Sequence, residues 1–292
     1  MRSGFCSIVG RPNVGKSTLL NALVGQKIAI TTPVPQTTRH ALRGVLHGDG
    51  VQVVFVDTPG LHKPKTLLGN RLNDVARGAL AHVDLVVFVV DGAAGLGRGD
   101  AFVAGLLRDA HAPVIAVLNK VDGFSRARQL PRLEQLAGLG EWDEIVPVSA
   151  TQGEGVGTLS ALIQARMPDG PPYFPPEQVS DQPIEVVLAE LIREQAIVRM
   201  REEVPHSVAV VVNEISPGAS EGVQVVDATV YVERDSQKGI VIGRGGGVLK
   251  EIGAQARPGL ETLLGTRVYL ELRVKLMKEW QRDPKALQRL GY

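Results

Sequence analysis

The stretch GRPNVGKS at residues 10–17 decides the fold of the first part of this chain. It matches the pattern G-x-x-x-x-G-K-[ST] and joins the β-branched run GFCSIVG to the apolar helical run TLLNALV. A glycine loop in this position wraps phosphate groups with its backbone N–H groups, aided by the positive end of the helix. Lys16 then reaches the β- and γ-phosphates, and the Ser17 hydroxyl binds Mg²⁺. The residues predicted to form this phosphate loop are Gly10, Arg11, Pro12, Asn13, Val14, Gly15, Lys16, Ser17 and Thr18.

Two further motifs are placed to complete a metal and γ-phosphate site. DTPG ends the next β-branched run, so Asp57 can hold Mg²⁺ through water and the Gly60 N–H can face the γ-phosphate. QTTRH lies in the loop before the second strand, where a threonine can complete the metal shell; Thr38 is the first choice and Thr37 the second. The predicted Mg²⁺ ligands are therefore Ser17, Thr38 and Asp57. The residues of these motifs predicted to bind the nucleotide are Asp57, Thr58, Pro59 and Gly60. The predicted switch residues lie in loops that contact the γ-phosphate and can order or melt; they are Gln36, Thr37, Thr38, Arg39, His40 and Leu61.

The motifs NKVD and SAT indicate that the base is guanine. The Asp122 carboxylate can accept both N1–H and the exocyclic amine of guanine, whereas adenine would leave that carboxylate unpaired. Asn119 is expected to brace the loop, and the Lys120 stem to pack on the base. The SAT backbone supplies donors to the guanine oxygen. The residues predicted to hold the base are Asn119, Lys120, Val121, Asp122, Ser149, Ala150 and Thr151.

These motifs, in this order, resemble the translation-factor-related GTPase superfamily, which implies Mg²⁺-dependent GTP hydrolysis. Ras-like members of the superfamily orient water with a glutamine just after the D-x-x-G element, where this chain has Leu61. The resemblance therefore implies a different mechanism or a slow intrinsic reaction. PNVGKS resembles GTPases in which an asparagine, here Asn13, helps to bind K⁺ beside the phosphates. That cation would neutralise charge developing between the phosphates; the alternative is that Asn13 only forms the turn.

The chain divides in two by pattern. Residues 1–168 alternate strands that are apolar on both faces with helical stretches, which predicts an α/β domain with a mostly parallel sheet and helices on both faces. Residues 169–183 are rich in proline and are predicted to link the domains. Residues 184–292 begin with a helical pattern and continue with half-exposed strands, which predicts a small α+β domain.

The second glycine-rich stretch, VIGRGGGVLKEIG, is not a second nucleotide loop. Counted from Gly243, the sixth position of a dinucleotide fingerprint is Val248, and no Gly-Lys-Ser/Thr follows. The pattern I-G-x-x-G resembles a KH domain in its helix-first arrangement, whose G-x-x-G turn joins two helices and clamps the backbone of about four nucleotides. The residues that this resemblance assigns to RNA are Ile242, Gly243, Arg244, Gly245, Gly246 and Lys250.

Charge favours the RNA interpretation. Residues 236–292 contain 11 Lys/Arg and 5 Asp/Glu, whereas residues 183–235 contain 4 and 10. The basic half includes the glycine turn, as a nucleic-acid surface requires. The alternative is a glycine-rich turn beside an ordinary solvated basic face.

The order of the domains, the motifs and the C-terminal stretch VYLELRVKLMKEWQRDPKALQRLGY resemble the Era family of bacterial GTPases over nearly the whole chain. The resemblance implies a ribosome-assembly GTPase that binds the 3′ end of small-subunit ribosomal RNA and the 30S subunit. The sequence shows no sign of an obligate protein partner, so we expect a monomer. It also implies peripheral membrane association. A competing hypothesis is a nucleotide-gated RNA-binding checkpoint whose hydrolysis is incidental. A metabolic kinase is disfavoured, because NKVD selects a base and no acceptor pocket is evident.

Bulk features fit an intracellular location. Cys6 is the single cysteine, which excludes an internal disulfide and fits a reducing compartment. No apolar run approaches the roughly 18 residues of a membrane helix, and MRSGFCSIVG lacks the features of a signal peptide. We therefore expect a cytoplasmic protein.

Overall fold

A computed structural model of the protein describes residues 1–32, 34, 37–39, 42–61 and 66–292. These residues form two compact units, one built from most of residues 1–181 and the other mainly from residues 182–292. Among the described residues, no helix combines the length and the hydropathy that crossing a bilayer requires.

The first unit is built on a six-stranded sheet with the strand order β2-β3-β1-β4-β5-β6. Strand β2 runs antiparallel to β3, and the other neighbouring strands are parallel. The strands are β1 (Arg2–Val9), β2 (Leu42–Gly48), β3 (Val51–Asp57), β4 (Leu85–Asp91), β5 (Val114–Asn119) and β6 (Glu144–Val148). The described helices of this unit are α1 (Lys16–Val24), α2 (Leu67–Gly78), α3 (Arg98–Leu107), α4 (Gln129–Ala137) and α5 (Val156–Ala165).

Helices cover both faces of this sheet, because successive residues of a strand point to opposite sides. Ile8 belongs to a core with Leu19 of α1 and Leu159 of α5. Its neighbour Val9 belongs to a second core with residues of α2, α3 and α4. The predicted fold class is thereby confirmed. Cys6 is fully buried, as expected for a small apolar residue, and burial raises the pKa of its thiol.

The proline-rich residues 169–181 follow the surface of the first unit. Gln52 of β3 is almost fully buried; its side-chain oxygen accepts hydrogen bonds from the backbone N–H groups of Tyr173 and Phe174 at 2.7 and 3.1 Å, and its Nε2 donates to the Phe174 carbonyl at 2.7 Å. The Val45 N–H of β2 donates to the Val179 carbonyl at 2.9 Å. A segment with few internal hydrogen bonds thus finds its partners on β2 and β3.

The second unit has a three-stranded sheet in the order β7-β8-β9, in which β7 and β8 are antiparallel and β8 and β9 parallel. Its strands are β7 (Ala209–Pro217), β8 (Val223–Val232) and β9 (Arg267–Leu276). Its helices are α6 (Ile184–Arg199), α7 (Val204–Ser207), α8 (Asp235–Ile242), α9 (Gly247–Leu264) and α10 (Pro284–Arg289). The helix comes first and the third strand follows the glycine turn, as the resemblance to a KH domain implied.

The end of the chain belongs to the core of this unit. Trp280 is fully buried, and its indole Nε1 donates to the Ser207 carbonyl at 3.1 Å. The ring also stacks on that of Tyr292, with centroids 5.6 Å apart. The basic stretch around Trp280 is therefore anchored by a packed aromatic residue.

Candidate functional site

The phosphate loop joins the end of β1 to the start of α1 and needs glycine at two positions. Gly10 has φ 155°, and a Cβ there would lie 2.4 Å from the Val89 carbonyl oxygen. Gly15 has φ 97°, and a Cβ there would lie 2.3 Å from the Asn119 side-chain nitrogen. Any larger residue would clash with a neighbouring strand end, so both glycines keep the loop closely packed.

Lys16 is the first residue of α1 and points back into the loop. Its Nζ donates to the carbonyl oxygens of Gly10 at 3.2 Å and Arg11 at 2.8 Å. Burial lowers the pKa of Lys16 to about 8, and the charge of Asp57 opposes that shift. An anion bound in this loop would therefore contact the buried Lys16 ammonium. Among the described residues, no carboxylate is bonded directly to that ammonium.

Three oxygen-bearing side chains meet beside Lys16. The Ser17 hydroxyl donates to Asp57 Oδ2 at 2.7 Å and lies 2.8 Å from the Thr38 hydroxyl, which donates to the same carboxylate oxygen at 3.3 Å. Asp57 is fully buried. Burial raises the pKa of Asp57, while Lys16 and the hydrogen bonds from the two hydroxyls oppose the rise.

This group fits Mg²⁺. The second carboxylate oxygen, Asp57 Oδ1, is buried and has no hydrogen-bond partner among the residues that the structure describes. A buried carboxylate oxygen without a donor is costly, and a hard divalent cation surrounded by carboxylate and hydroxyl oxygens would offset that cost. The three residues predicted as Mg²⁺ ligands are thus brought together, with Thr38 supplying the threonine hydroxyl.

The segment after Asp57 is packed tightly against the phosphate loop. A Cβ on Gly60 would lie 2.6 Å from the backbone nitrogen of Pro12, and the Leu61 N–H donates to the Gly10 carbonyl at 3.2 Å. Thr58 donates through its hydroxyl to the Ile8 carbonyl at 2.9 Å. Pro59 is buried as well.

Leu61, the residue at the glutamine position of Ras-like enzymes, has a side chain that is only 2% exposed. It packs in the apolar core that includes Val86 and Phe88. Of the other residues predicted to respond to the γ-phosphate, Arg39 is buried and Thr37 half-buried, while Gln36 and His40 lie outside the described residues.

The base motifs meet at the ends of β5 and β6. Asn119 Nδ2 donates to the Val14 carbonyl at 2.9 Å, and its Oδ1 accepts the Ala150 N–H at 3.1 Å. Asp122 is exposed and accepts a hydrogen bond from the Ser149 hydroxyl at 2.6 Å. That hydroxyl also lies 3.3 Å from the Thr151 hydroxyl. The carboxylate is held at one oxygen and faces outward, which suits a ligand that arrives from solvent.

Two acidic residues of the site were missed from the sequence. Arg11, predicted to bind the nucleotide, donates through Nε to Asp100 Oδ1 at 2.7 Å, and the Asp100 side chain is fully buried at the start of α3. Asp91 lies 2.7 Å from the Lys120 ammonium. The sequence offers no motif for Asp100, but Asp91 ends a buried strand as Asp57 does.

The glycine turn of the second unit lies between α8 and α9. Gly243, Gly245 and Gly246 have φ values of 72°, 59° and 79°, and a Cβ on Gly243 would lie 2.5 Å from the Val248 side chain. Ile242 is half-buried, and Arg244 and Lys250 are exposed. The turn therefore presents bare backbone and two basic side chains to solvent.

Known protein families match both halves of the chain. Residues 5–120 match the family model described as 50S ribosome-binding GTPase, and residues 203–281 match the KH domain model. Over 295 residues the chain is 50% identical to GTPase Era of Mycobacterium tuberculosis, covering 99% of this chain and 98% of that protein.

Two solved structures are similar over essentially the whole chain. One is Era in complex with MgGDPNP and nucleotides 1506–1542 of 16S ribosomal RNA, with a TM-score of 0.97, 40% identity and coverage of 100% of this chain and 99% of that one. The other is a tyrosine-to-alanine variant of Aquifex aeolicus Era bound to GDP·AlF4⁻, with a TM-score of 0.96, 39% identity and the same coverage.

Fold and site together define a phosphate-loop GTPase that carries a C-terminal KH domain. At this identity and coverage, the chain belongs to the Era family of GTPases.

Proposed function

We propose that this GTPase binds the 3′ end of small-subunit ribosomal RNA through its KH domain and acts in assembly of the small ribosomal subunit. The observation that carries the proposal is the exposed glycine turn with Arg244, on a chain that also has a complete phosphate loop. The related Era structure in complex with 16S ribosomal RNA supports the same assignment.

The nucleotide site would work as follows. Backbone N–H groups of residues 10–17 and the Lys16 ammonium bind the phosphates, and Asp122 with the SAT backbone selects guanine. Ser17, Thr38 and Asp57 would hold Mg²⁺, which supplies positive charge beside the β- and γ-phosphates. The Gly60 N–H, held against Pro12, would point to the γ-phosphate. The related structures with MgGDPNP and with GDP·AlF4⁻ support a Mg²⁺ and guanine-nucleotide site.

The intrinsic rate of GTP hydrolysis to GDP and phosphate should be slow. Leu61 carries no group that could orient water, and its side chain is buried in the core. The same observation favours a second candidate function, in which the protein is a nucleotide-gated RNA-binding checkpoint and hydrolysis is incidental. Single-turnover hydrolysis with and without ribosomal RNA separates the two: acceleration by RNA supports coupled hydrolysis, and an unchanged rate supports the checkpoint.

Asn13 is our candidate for a K⁺ ligand beside the phosphates. Its φ is 64°, a backbone conformation that residues other than glycine seldom adopt. Hydrolysis measured in KCl and in NaCl, for the wild type and for Asn13→Ala, tests this role. Equal rates in the two salts would contradict it.

The RNA clamp would consist of Ile242, Gly243, Arg244, Gly245 and Gly246, with Lys250 as a further phosphate contact. The glycines allow a sugar-phosphate backbone to approach the main chain, and the basic residues add charge. RNA crosslinking in cells compares the wild type with Gly243→Asp and with the control Glu221→Gln, an exposed charge outside the turn. Loss of a defined ribosomal crosslink in Gly243→Asp alone supports the clamp, whereas an unchanged pattern contradicts it.

We further propose that the chain functions as a GTP-binding domain (1–168), a connecting segment (169–183) and an RNA-binding domain (184–292). It would act as a cytoplasmic monomer that contacts the 30S subunit, and any membrane contact would be peripheral. Analytical ultracentrifugation tests the monomer. Sedimentation with anionic vesicles tests membrane contact.

A further inference from the structure

The carboxylate of Asp91 and the ammonium of Lys120 form an ion pair at the base end of the nucleotide site. Lys120 Nζ lies 2.7 Å from Asp91 Oδ2. Asp91 is the last residue of β4 and pairs with Asn119, the last residue of β5, across the sheet. The carboxylate therefore lies at the strand ends that carry the nucleotide motifs, although it belongs to none of the motifs.

Lys120 is held at its backbone and at its tip. Its φ is 62°, in the left-handed region that favours glycine. The ammonium donates both to Asp91 and to the Asn13 carbonyl oxygen at 2.7 Å. Its Cε would be 3.9 Å from a Cβ on Gly15, so the stem lies alongside the phosphate loop. A long lysine side chain gives up rotamer freedom when it is fixed in this way.

Asp91 is itself preorganised. Its second carboxylate oxygen accepts the Ala94 N–H at 2.9 Å, and its carbonyl accepts the Gly95 N–H at 3.0 Å. The Asp91 side chain is only 12% exposed, whereas the Lys120 side chain is 39% exposed. The carboxylate is thus the fixed partner, and the lysine is the group that would otherwise turn toward solvent.

We infer that Asp91 is a positioning residue for guanine binding: it fixes the Lys120 ammonium so that the lysine stem lies ready to pack on the base. This inference rests on the guanine-nucleotide site proposed above. Asp91 would act on the base through Lys120, while its hydrogen bond with the Ala94 N–H orients the carboxylate. Asp91→Asn keeps an oxygen that can accept the Ala94 N–H, so the main change is the lost charge beside Lys120. The stem then samples other rotamers, and the bound nucleotide leaves faster.

A double-mutant cycle on the full-length chain tests the inference. Dissociation of N-methylanthraniloyl-GDP is measured by stopped flow for wild type, Asp91→Asn, Lys120→Met and the double variant. Asp91→Asn should raise the dissociation rate about tenfold, as expected when a charged hydrogen-bond partner is removed. In the Lys120→Met background, which keeps an unbranched stem, the same change should have less than about a twofold effect.

The control is Asp143→Asn. Asp143 also pairs with a basic residue of this unit, Arg166, but it lies just before β6 begins and is exposed. The rate at which labelled GDP dissociates from Asp143→Asn should equal the rate for the wild type. Thermal melting checks folding, and Asp91→Ser replaces Asp91→Asn should the latter unfold.

The outcomes are distinct. Equal effects of Asp91→Asn in both backgrounds, or no effect in the wild-type background, would overturn the positioning role while leaving GTP binding intact. A wild type that fails to bind the labelled GDP at all would overturn the proposed nucleotide site, and the inference with it.

Discussion

The side-chain amide of Asn119 lies 2.9 Å from the Val14 carbonyl oxygen and joins the base motif to the phosphate loop. Since Asn119 also accepts the Ala150 N–H, one buried side chain holds three loops of the site in register. We therefore expect Asn119→Ala to leave a backbone carbonyl and a backbone N–H unpaired. The cost should be about 2–4 kcal/mol of unfolding free energy, with GDP affinity lowered at least about tenfold.

Thermal melting and isothermal titration calorimetry with GDP measure both effects. Asn70→Ala, at an exposed asparagine of α2, is the control and should change neither. An Asn119→Ala protein with the GDP affinity of the wild type would show that the base and phosphate loops are positioned independently.

Nucleotide binding should be linked to proton uptake above pH 8. Burial lowers the pKa of Lys16 to about 8, so the free protein loses this charge as the pH rises through that value. Bound phosphates favour the ammonium and raise its pKa, so binding at pH 8.5 should take up a proton, whereas binding at pH 7.2 should take up much less. GDP affinity should accordingly fall as the pH rises above 8.

Titration calorimetry in buffers of different ionisation enthalpy counts the protons. Lys16→Arg keeps its charge at these pH values, and any nucleotide that it still binds should bind without proton uptake. An equal, near-zero uptake by the wild type at both pH values would contradict the link.

Leu61→Gln should not create a faster GTPase. The Leu61 side chain faces the core, so a glutamine there would bury an amide and cost about 1–3 kcal/mol of unfolding free energy. Leu61→Met, which conserves volume, should cost less than about 1.5 kcal/mol. Chemical denaturation and single-turnover hydrolysis measure the two properties. A several-fold acceleration in Leu61→Gln would mean that this side chain can turn out to the γ-phosphate.

Gln52→Ala should loosen the connecting segment. The change removes three hydrogen bonds to Tyr173 and Phe174 and leaves their backbone groups unpaired, at an expected cost of about 2–4 kcal/mol. Limited proteolysis should then cut within residues 171–180 sooner than in the wild type. Gln135→Ala, at an exposed glutamine of α4, should keep the wild-type pattern. Equal cleavage rates in all three proteins would show that Gln52 does not hold the segment.

The sequence predicted the site best where the site residues are consecutive in the chain. The spacing from Gly10 to Ser17 predicted the loop and the helix start, because a phosphate loop is one continuous stretch. Strand ends placed Asp57 and Asn119 at the same edge of a parallel sheet, where the structure has them.

The partners that sequence reasoning missed are distant in the chain. Arg11 stays a predicted nucleotide contact, and its guanidinium also pairs with a buried carboxylate 89 residues away, which the sequence did not predict. No periodic pattern in the sequence predicts an ion pair between residues so far apart in the chain. The prolines of residues 169–183 correctly predicted that this segment is not a helix. They do not predict that the Gln52 side chain forms hydrogen bonds with its backbone, because a single buried amide leaves no pattern in the composition.

The hydrogen bond from Val45 to Val179 predicts how a proteolysed chain would behave. Strand β2 is the outermost strand of the six-stranded sheet, and the connecting segment occupies its open side, with a bridge from Gly44 to Ser180 and a contact from His47 to the Gln178 carbonyl at 2.9 Å. Unprotected edge strands pair with other chains. A fragment that ended before residue 178 should expose this edge and become prone to self-association, which indicates that residues 178–180 protect the edge of the sheet.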